Sequence, residues 1–299
     1  MLKKIKSVPK QIKNTLKSKK GFFVDTGVKI LICVVLGGLV LGGLYGTFNG
    51  TIMPSVKSKV ESLFDYNGGS ESGNEDFSGY ATFSDGTTLS WEELRLPENG
   101  TKYGYSVDKI TDTTIEKIAF QNCTQLTEIN IQDGITYIGV AAFGNCTNLK
   151  TVNMSNSVTD IDVNAFYYCD SLSEVNLSYG ITTISESMFK DCHCLKSIVL
   201  PDSVTSIGQN AFMYCSSLES ITLSSNLESI DYFAFRECYK FKEIHFPKSI
   251  KTLKWGSFSE SFVTDFYYEG TVSEWNAIDK NEWARGLSSY TVHCSDGNV

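Results

Sequence analysis

Histidine is scarce in this sequence, and the common motifs of enzymes are absent from it. Three histidines occur among 299 residues, so few are available as the base of a Ser-His-Asp or Cys-His catalytic arrangement. The sequence contains no glycine-rich phosphate loop, no HExxH zinc motif and no nucleophile elbow. It therefore predicts a protein that is not an enzyme and that needs no cofactor.

Metal-ligand residue types meet at one place, the stretch DCHCL at 191–195. Cys192, His193 and Cys194 are adjacent there rather than at the CxxC spacing of zinc sites, and a tetrahedral site would need further ligands from elsewhere in the chain. Surface substitution within one repeat explains the cluster adequately, so we predict no metal site.

Positive charge is lacking from most of the chain. The formal net charge is −8; residues 1–50 hold nine lysines and one aspartate, whereas the remainder holds 17 Lys plus Arg against 33 Asp plus Glu. No basic patch lies beyond the N-terminal segment, which argues against nucleic-acid binding by the main body.

The N-terminal segment combines those lysines with the uncharged run ILICVVLGGLVLGGLYGTF at 30–48. As a helix this run would reach about 28 Å, close to the thickness of a bilayer core. The lysines should stay cytoplasmic, which predicts a single-pass protein with its acidic body outside the cell. A cleaved signal peptide, leaving a secreted protein, is the alternative; the run is longer than usual for one, and no clear cleavage site follows.

Three glycines within the run, Gly38, Gly42 and Gly46, fall on one helical face as two overlapping GxxxG units. Such a face allows close packing between membrane helices and predicts a possible homo-oligomer. The alternative is that glycine is simply common in membrane helices. Residues 52–64 then have the spacing of an amphipathic helix, and residues 67–79 the composition of a flexible acidic linker.

The rest of the chain is dominated by a repeat of 23 residues. Seven phenylalanines and six cysteines are spaced at this step, and leucine and Ile or Val positions follow the same step. The phenylalanines are Phe120, Phe143, Phe166, Phe189, Phe212, Phe235 and Phe258. The cysteines are Cys123, Cys146, Cys169, Cys192, Cys215 and Cys238. A fixed period of this length indicates a solenoid, in which stacked coils pool their apolar residues into one core.

The sequence of a single repeat predicts its secondary structure. In LESITL (218–223) the alternation of Ile221 and Leu223 indicates a strand with one buried face, NLESI (226–230) forms a return stretch, and AFRECYKF (234–241) suits a short helical turn. Neighbouring repeat cysteines would lie within disulfide distance, but parallel side chains in the core favour buried free thiols. Disulfides remain the alternative.

The unit closely resembles the leucine-rich repeat of the BspA-like type, most clearly in LKSIVLPDSVTSIGQNAFMYC at 195–215. The resemblance covers residues 111 to about 265. It implies a right-handed α/β-type solenoid with short parallel strands. It also implies a surface or secreted protein with a role in adhesion or protein binding. The predicted division of the chain is a basic cytoplasmic segment (1–27), a transmembrane helix (28–48), an amphipathic segment and linker (49–79), an N-terminal cap (80–110), repeats (111–265) and a C-terminal cap (266–299).

Two columns of strand residues between the core positions form the predicted binding face. The first column is Glu128, Thr151, Glu174, Ser197, Ser220 and Glu243. The second is Asn130, Asn153, Asn176, Val199, Thr222 and His245. These columns are polar, mildly acidic and poor in aromatic anchors. Tyr167, Tyr168, Met213 and Tyr214, in the turns after the phenylalanines, form a second candidate surface.

These observations predict a membrane-anchored cell-surface repeat protein that acts as a protein-binding or adhesion module, with a protein or a glycan as its ligand. The alternative is a structural or assembly component of the cell envelope that oligomerises through the Gly38–Gly46 face.

Overall fold

A computed structural model describes residues 79–299. The predicted anchor, its three glycines and most of the predicted linker lie outside these residues. Within the part of the chain that is described, no helix is both long enough and apolar enough to cross a membrane.

The described chain begins with a hairpin and two short helices. These elements are β1 (Tyr80–Phe83), β2 (Thr88–Ser90), α1 (Trp91–Leu94) and α2 (Pro97–Tyr103), followed by a 3-10 helix at Val107–Lys109. The Ser90 hydroxyl accepts from the Glu93 backbone and the Glu93 carboxylate accepts from the Ser90 backbone, which completes a capping box at α1. Gly104, with φ of 79°, ends α2 in the left-handed region that glycine favours.

The coils that follow are built from short strands. In chain order they are β3 (Thr114–Ile115), β4 (Leu126–Ile131), β5 (Tyr137–Ile138), β6 (Thr151–Met154), β7 (Asp160–Ile161), β8 (Glu174–Asn176), β9 (Thr183–Ile184), β10 (Ser197–Val199), β11 (Ser206–Ile207), β12 (Ser220–Thr222), β13 (Ser229–Ile230), β14 (Glu243–Phe246), β15 (Thr252–Leu253), β16 (Asp265–Tyr268), β17 (Thr291–Cys294) and β18 (Gly297–Asn298). Helix α3 (Val272–Ala277) lies between β16 and β17.

The even-numbered strands from β4 to β16, with β17, form the main sheet side of the solenoid. Their pairing is parallel, and between strands of the repeats residues 23 apart are partners, as Thr151 is with Glu174. Hydrogen bonding divides this side into three sheets, ordered β2-β1-β4-β6-β8, β10-β12 and β14-β16-β17-β18. The shorter return strands form two further parallel sheets, β3-β5-β7 and β9-β11-β13-β15.

A third ladder, on the turn side, joins the coils at the repeat phenylalanines. The Phe143 amide donates to the Ala165 carbonyl at 2.8 Å, and the Phe166 amide to the Met188 carbonyl at 3.0 Å. Residues two before and two after each phenylalanine have positive φ, for example Asn164 at 60° and Tyr168 at 59°. The prediction of a short helical turn here is wrong, because a right-handed helix does not accommodate left-handed residues four apart.

The core is a stack of the predicted side chains. Each repeat phenylalanine is fully buried, and neighbouring rings are nearly parallel, with centroids 5.1 Å apart between Phe143 and Phe166 and 5.3 Å apart between Phe212 and Phe235. Stacked parallel coils around one continuous core confirm the predicted repeat solenoid.

The six repeat cysteines are buried and free. The Cys123 thiol donates to the Tyr103 carbonyl of the cap. Each later thiol donates to a carbonyl one coil back; Cys146 Sγ lies 3.1 Å from the Phe120 oxygen, and Cys215 Sγ lies 3.1 Å from the Phe189 oxygen. Burial raises the pKa of the Cys123 thiol to about 11 and that of Cys169 to about 12. These cysteines are therefore core donors in thiol form, and thiolate chemistry is disfavoured at them.

The repeat ends where Ser261 takes the cysteine position. Trp275 in α3 and Trp283 are both buried and close the last coil; Trp283 meets Phe266 edge to face at a centroid distance of 4.6 Å. Thr271 and Glu274 form a capping box at the start of α3. Large aromatic rings thus cover the apolar end of the core, where an eighth repeat phenylalanine would otherwise have continued the stack.

Candidate binding face

The two predicted columns lie on the main sheet side in register. Glu128 is opposite Thr151, and Asn130 is opposite Asn153; the pairing continues between Ser197 and Ser220. Side chains at these positions stand on the outer face because the apolar residues between them, such as Ile198, point into the core. We call this surface, from β6 to β17, the sheet face.

The N-terminal end of the columns is covered by the hairpin. Strand β1 pairs antiparallel with β4 and places Tyr80 opposite Asn130, which is only 6% exposed. The Tyr80 hydroxyl donates to Glu128 Oε1 at 2.7 Å. Burial, followed by this carboxylate, raises the pKa of Tyr80 to about 12. Glu128 and Asn130 therefore anchor the cap, and the sheet face opens at the next coil.

Amides line the first open coils. Asn176 Nδ2 donates to Asn153 Oδ1 at 2.6 Å, so part of the hydrogen-bonding capacity of this pair is used along the column. The remaining amide groups, beside exposed Glu174, are left for solvent or a ligand.

A notch interrupts the sheet face where β8 and β10 belong to separate sheets. Its volume is about 450 Å³. Tyr179 is 69% exposed and Val199 is 64% exposed, and both line the notch together with Met154 and Leu177. Apolar and polar side chains both line the notch, and Tyr179 and Val199 are its most exposed apolar side chains. Tyr179 was missed by the sequence analysis because it lies three residues beyond β8, outside the two strand columns.

The columns also extend further towards the C-terminus than the repeat predicts. Tyr267 of β16 lies opposite His245, and His293 of β17 lies opposite Tyr267. The three rings stack at centroid distances of 4.5 Å and 4.6 Å. Neither Tyr267 nor His293 is predicted by the repeat, because the step between residues of the column changes from 23 to 22 and then to 26 residues.

A carboxylate holds the last ring of this stack. His293 Nε2 lies 2.8 Å from Asp265 Oδ1. This hydrogen bond, with a second from Thr264, lowers the pKa of Asp265. Glu243 lies near His245 Nε2 at the longer distance of 3.9 Å. The C-terminal end of the sheet face is therefore aromatic and acidic.

The DCHCL stretch is divided between core and surface. Cys192 is in the buried ladder, Cys194 is exposed, and His193 Nδ1 lies 2.9 Å from Asp170 Oδ1. Within residues 79–299, no three His, Cys, Asp or Glu side chains are grouped so as to hold a metal ion.

Two family models match the chain. Residues 109–219 and 159–279 match the model described as BspA type leucine rich repeat region (6 copies). Because these matches cover more than half of the sequence, the chain belongs to the BspA-type leucine-rich repeat family. Residues 6–68 match a second model, described as a family of unknown function (DUF6133). No curated protein matches the chain.

Several solved structures are similar to part of this chain. A leucine-rich repeat protein from Bacteroides ovatus is 24% identical, with a TM-score of 0.45, over 61% of this chain and 55% of its own. The T. pallidum leucine-rich repeat protein is 23% identical, with a TM-score of 0.48, over 64% and 90%. One from Eubacterium ventriosum is 22% identical, with a TM-score of 0.49, over 62% and 50%. The chain thus spans about half the length of the first and third.

Proposed function

We propose that this chain is a non-catalytic protein-binding module displayed at the cell surface, and that the sheet face binds its ligand. The observation that carries the proposal is the run of exposed side chains on the strands from β6 to β17, which are in register within each of the three sheets that these strands form. A solenoid offers such an extended surface without any movement of the backbone, so little conformational entropy is lost on binding.

The pattern of variation supports this surface over the core and the turn ladder. Core positions repeat the same residue types from coil to coil, whereas the second column changes from Asn153 to Val199 and His245. Different side chains on one fixed scaffold can give specificity for one ligand.

The notch supplies an anchor of the kind that dominates binding energies. Hot spots are commonly aromatic side chains in pockets that exclude water, surrounded by polar contacts. In the notch, Tyr179 is the exposed aromatic side chain that a ligand could bury, and Asn176 and Glu174 provide polar groups beside it. The ligand best suited is an extended protein segment that inserts one apolar side chain; a glycan is the second candidate.

Binding of the full-length chain to a panel of matrix proteins, mucins and immobilised glycans tests this proposal. For a ligand found in the panel, the double change Tyr179→Ser with Val199→Ser should weaken binding about tenfold. Tyr232→Ser is the matched control, because Tyr232 is 43% exposed but lies outside the sheet face. Absence of any ligand, or equal loss in the control, would contradict the proposal.

The anchor at 28–48 is part of the same proposal and has its own test. Its uncharged length and the preceding lysines support a single-pass orientation with the repeats outside. Protease added to intact cells should remove the repeats and leave a short membrane-bound fragment. A mature chain that starts after residue 48 and lies in the medium would instead establish secretion.

The glycines of that segment support the alternative of an assembly component. Crosslinking in membranes should yield a dimer that Gly42→Leu removes, because the larger side chain prevents close approach of the helices. A parent chain that is strictly monomeric leaves the alternative without support.

A further inference from the structure

The notch lies where a hydrogen bond between two coils is missing. In the next pair of coils the Leu200 amide donates to the Thr222 carbonyl at 2.9 Å. The equivalent bond one coil earlier would run from the Leu177 amide to the Val199 carbonyl, and it is absent. Among residues 79–299, neither of these two backbone groups takes part in another hydrogen bond. An open donor and an open acceptor therefore face the interruption between β8 and β10.

Both open groups belong to residues that line the cavity. Leu177 and Val199 are on opposite sides of the notch, one following β8 and the other in β10. Backbone N–H and C=O groups are almost always paired in folded proteins, with water where no protein group is available. A ligand that carries one acceptor and one donor can replace that water and satisfy both groups.

The side chains of the notch favour an uncharged occupant with an apolar stem. Tyr179, Met154 and Pro201 line it, and none of its lining residues is a lysine, an arginine or a histidine. An ammonium group cannot accept from the Leu177 amide, and a carboxylate cannot donate to the Val199 carbonyl. A primary carboxamide does both, with its oxygen and its nitrogen placed as they are in a peptide group.

We propose that the notch binds a glutamine side chain from an extended segment of a partner protein. The carboxamide oxygen would accept from the Leu177 amide, and the NH₂ group would donate to the Val199 carbonyl, in place of the missing bond of the ladder. The two methylene groups of the stem would pack against Tyr179. This inference rests on the function proposed for the sheet face, and it adds a polar end to the side chain that enters the notch.

Titration of the full-length chain in detergent micelles with two capped amino acids, followed by ligand-observed NMR, tests the proposal. Nα-acetyl-glutamine N-methylamide is the probe, and Nα-acetyl-norleucine N-methylamide is a match of similar length without the amide. We expect the glutamine compound to bind about tenfold more tightly, as two hydrogen bonds between neutral groups imply.

The two ways in which this titration can fail are distinguishable from failure of the proposed function. Norleucine binding as tight as that of glutamine would overturn the inference and leave the sheet face as a site for an apolar side chain. No binding of either compound would also overturn the inference, whereas the ligand panel tests the sheet face itself.

Backbone amide shifts locate the bound carboxamide. In spectra of the full-length chain, the Leu177 amide proton should move downfield when the glutamine compound is added, because it gains an acceptor. The Leu200 amide is the matched control, since it already donates to the next coil, and its shift should not change. An unchanged Leu177 amide at saturation would contradict the assignment.

A variant separates the apolar wall from the backbone pair. Tyr179→Ser should weaken both compounds by a similar factor and keep the preference for glutamine, because it removes a wall but no partner of the carboxamide. Tyr232→Ser, outside the sheet face, should change neither affinity. Loss of the preference in a folded Tyr179→Ser chain would show that the tyrosine hydroxyl, and not the backbone pair, recognises the amide.

Discussion

The turn side and the sheet side of the solenoid are built from the same coils but are held together differently. Amide-to-carbonyl bonds run without interruption through the repeat phenylalanines; the bond from Phe166 to Met188 and the bond from Phe212 to Ala234 are both present. At these same two junctions the main sheet divides, between β8 and β10 and between β12 and β14.

This difference indicates which side fixes the architecture. The stacked rings and the left-handed turn residues repeat at all seven phenylalanines and the buried thiols at six of them, whereas the sheet side tolerates interruptions and changes of side chain. The notch lies where the main sheet is interrupted between β8 and β10. Substitutions on the turn side should therefore change the stability of the solenoid more than substitutions on the sheet side.

The largest effect is expected in the ring stack of the turn side. Phe166→Ala should reduce the free energy of unfolding by about 3–5 kcal/mol, because it removes a fully buried ring and leaves a cavity. Urea denaturation would measure it. A loss below about 1 kcal/mol would show that the stack does not carry the stability of the solenoid.

The thiol ladder should contribute less. Cys215→Ala should cost about 1 kcal/mol or more, through a small cavity and the lost bond to the Phe189 carbonyl. Cys215→Ser is the control that keeps a donor. Sheet-face binding should be unchanged in a folded Cys215→Ala chain, and selective loss of binding would contradict a purely structural role.

Changes on the sheet face should affect stability least among the substitutions. Val199→Ser alters a side chain that is 64% exposed, so the free energy of unfolding should change by no more than about 0.5 kcal/mol. A larger loss in denaturation would mean that the notch is packed in solution and is not open to ligands.

A small pH dependence is expected at the C-terminal end of the sheet face. The hydrogen bond from His293 lowers the pKa of Asp265 in the folded protein. Its stabilising contribution is therefore present above the unfolded pKa of about 4 and is lost as the pH falls through the folded pKa. Asp265→Asn should be slightly less stable than the parent at pH 7 and equal to it at strongly acidic pH. If the difference in unfolding free energy between Asp265→Asn and the parent grew as the pH fell, this prediction would be contradicted.

The repeat core was predictable from the sequence, whereas the details of both sides were not. The positions of Phe143, Cys146 and their equivalents can be recognised from the 23-residue period, because every coil must bury the same face. The left-handed residues carry no such signal: Ala141, Asn164 and Phe233 share the conformation but not the side chain. Hydrogen bonds between coils impose that geometry, and a helical reading of one coil in isolation could not detect it.

The candidate face was predictable where the period holds and not beyond it. Thr151 to His245 follow from a 23-residue step, but Tyr267 and His293 join the column across insertions that change the step. The covering of Glu128 and Asn130 by the cap could not be predicted from the sequence either, because it depends on how the β1 hairpin docks on β4.

Amide hydrogen exchange at one junction tests the central comparison most directly. The Leu200 amide donates to the Thr222 carbonyl of β12. Because successive amides of a strand point to opposite sides, the Val199 amide points away from β12, towards β8, with which β10 does not pair. The Thr222 amide, at the same repeat position as Val199, points towards its paired strand β10. We predict slow exchange at Phe166 and Thr222 and rapid exchange at Val199. Equal protection of Val199 and Thr222, or rapid exchange at Phe166, would contradict the conclusion that the turn side holds the coils together where the sheet side is open.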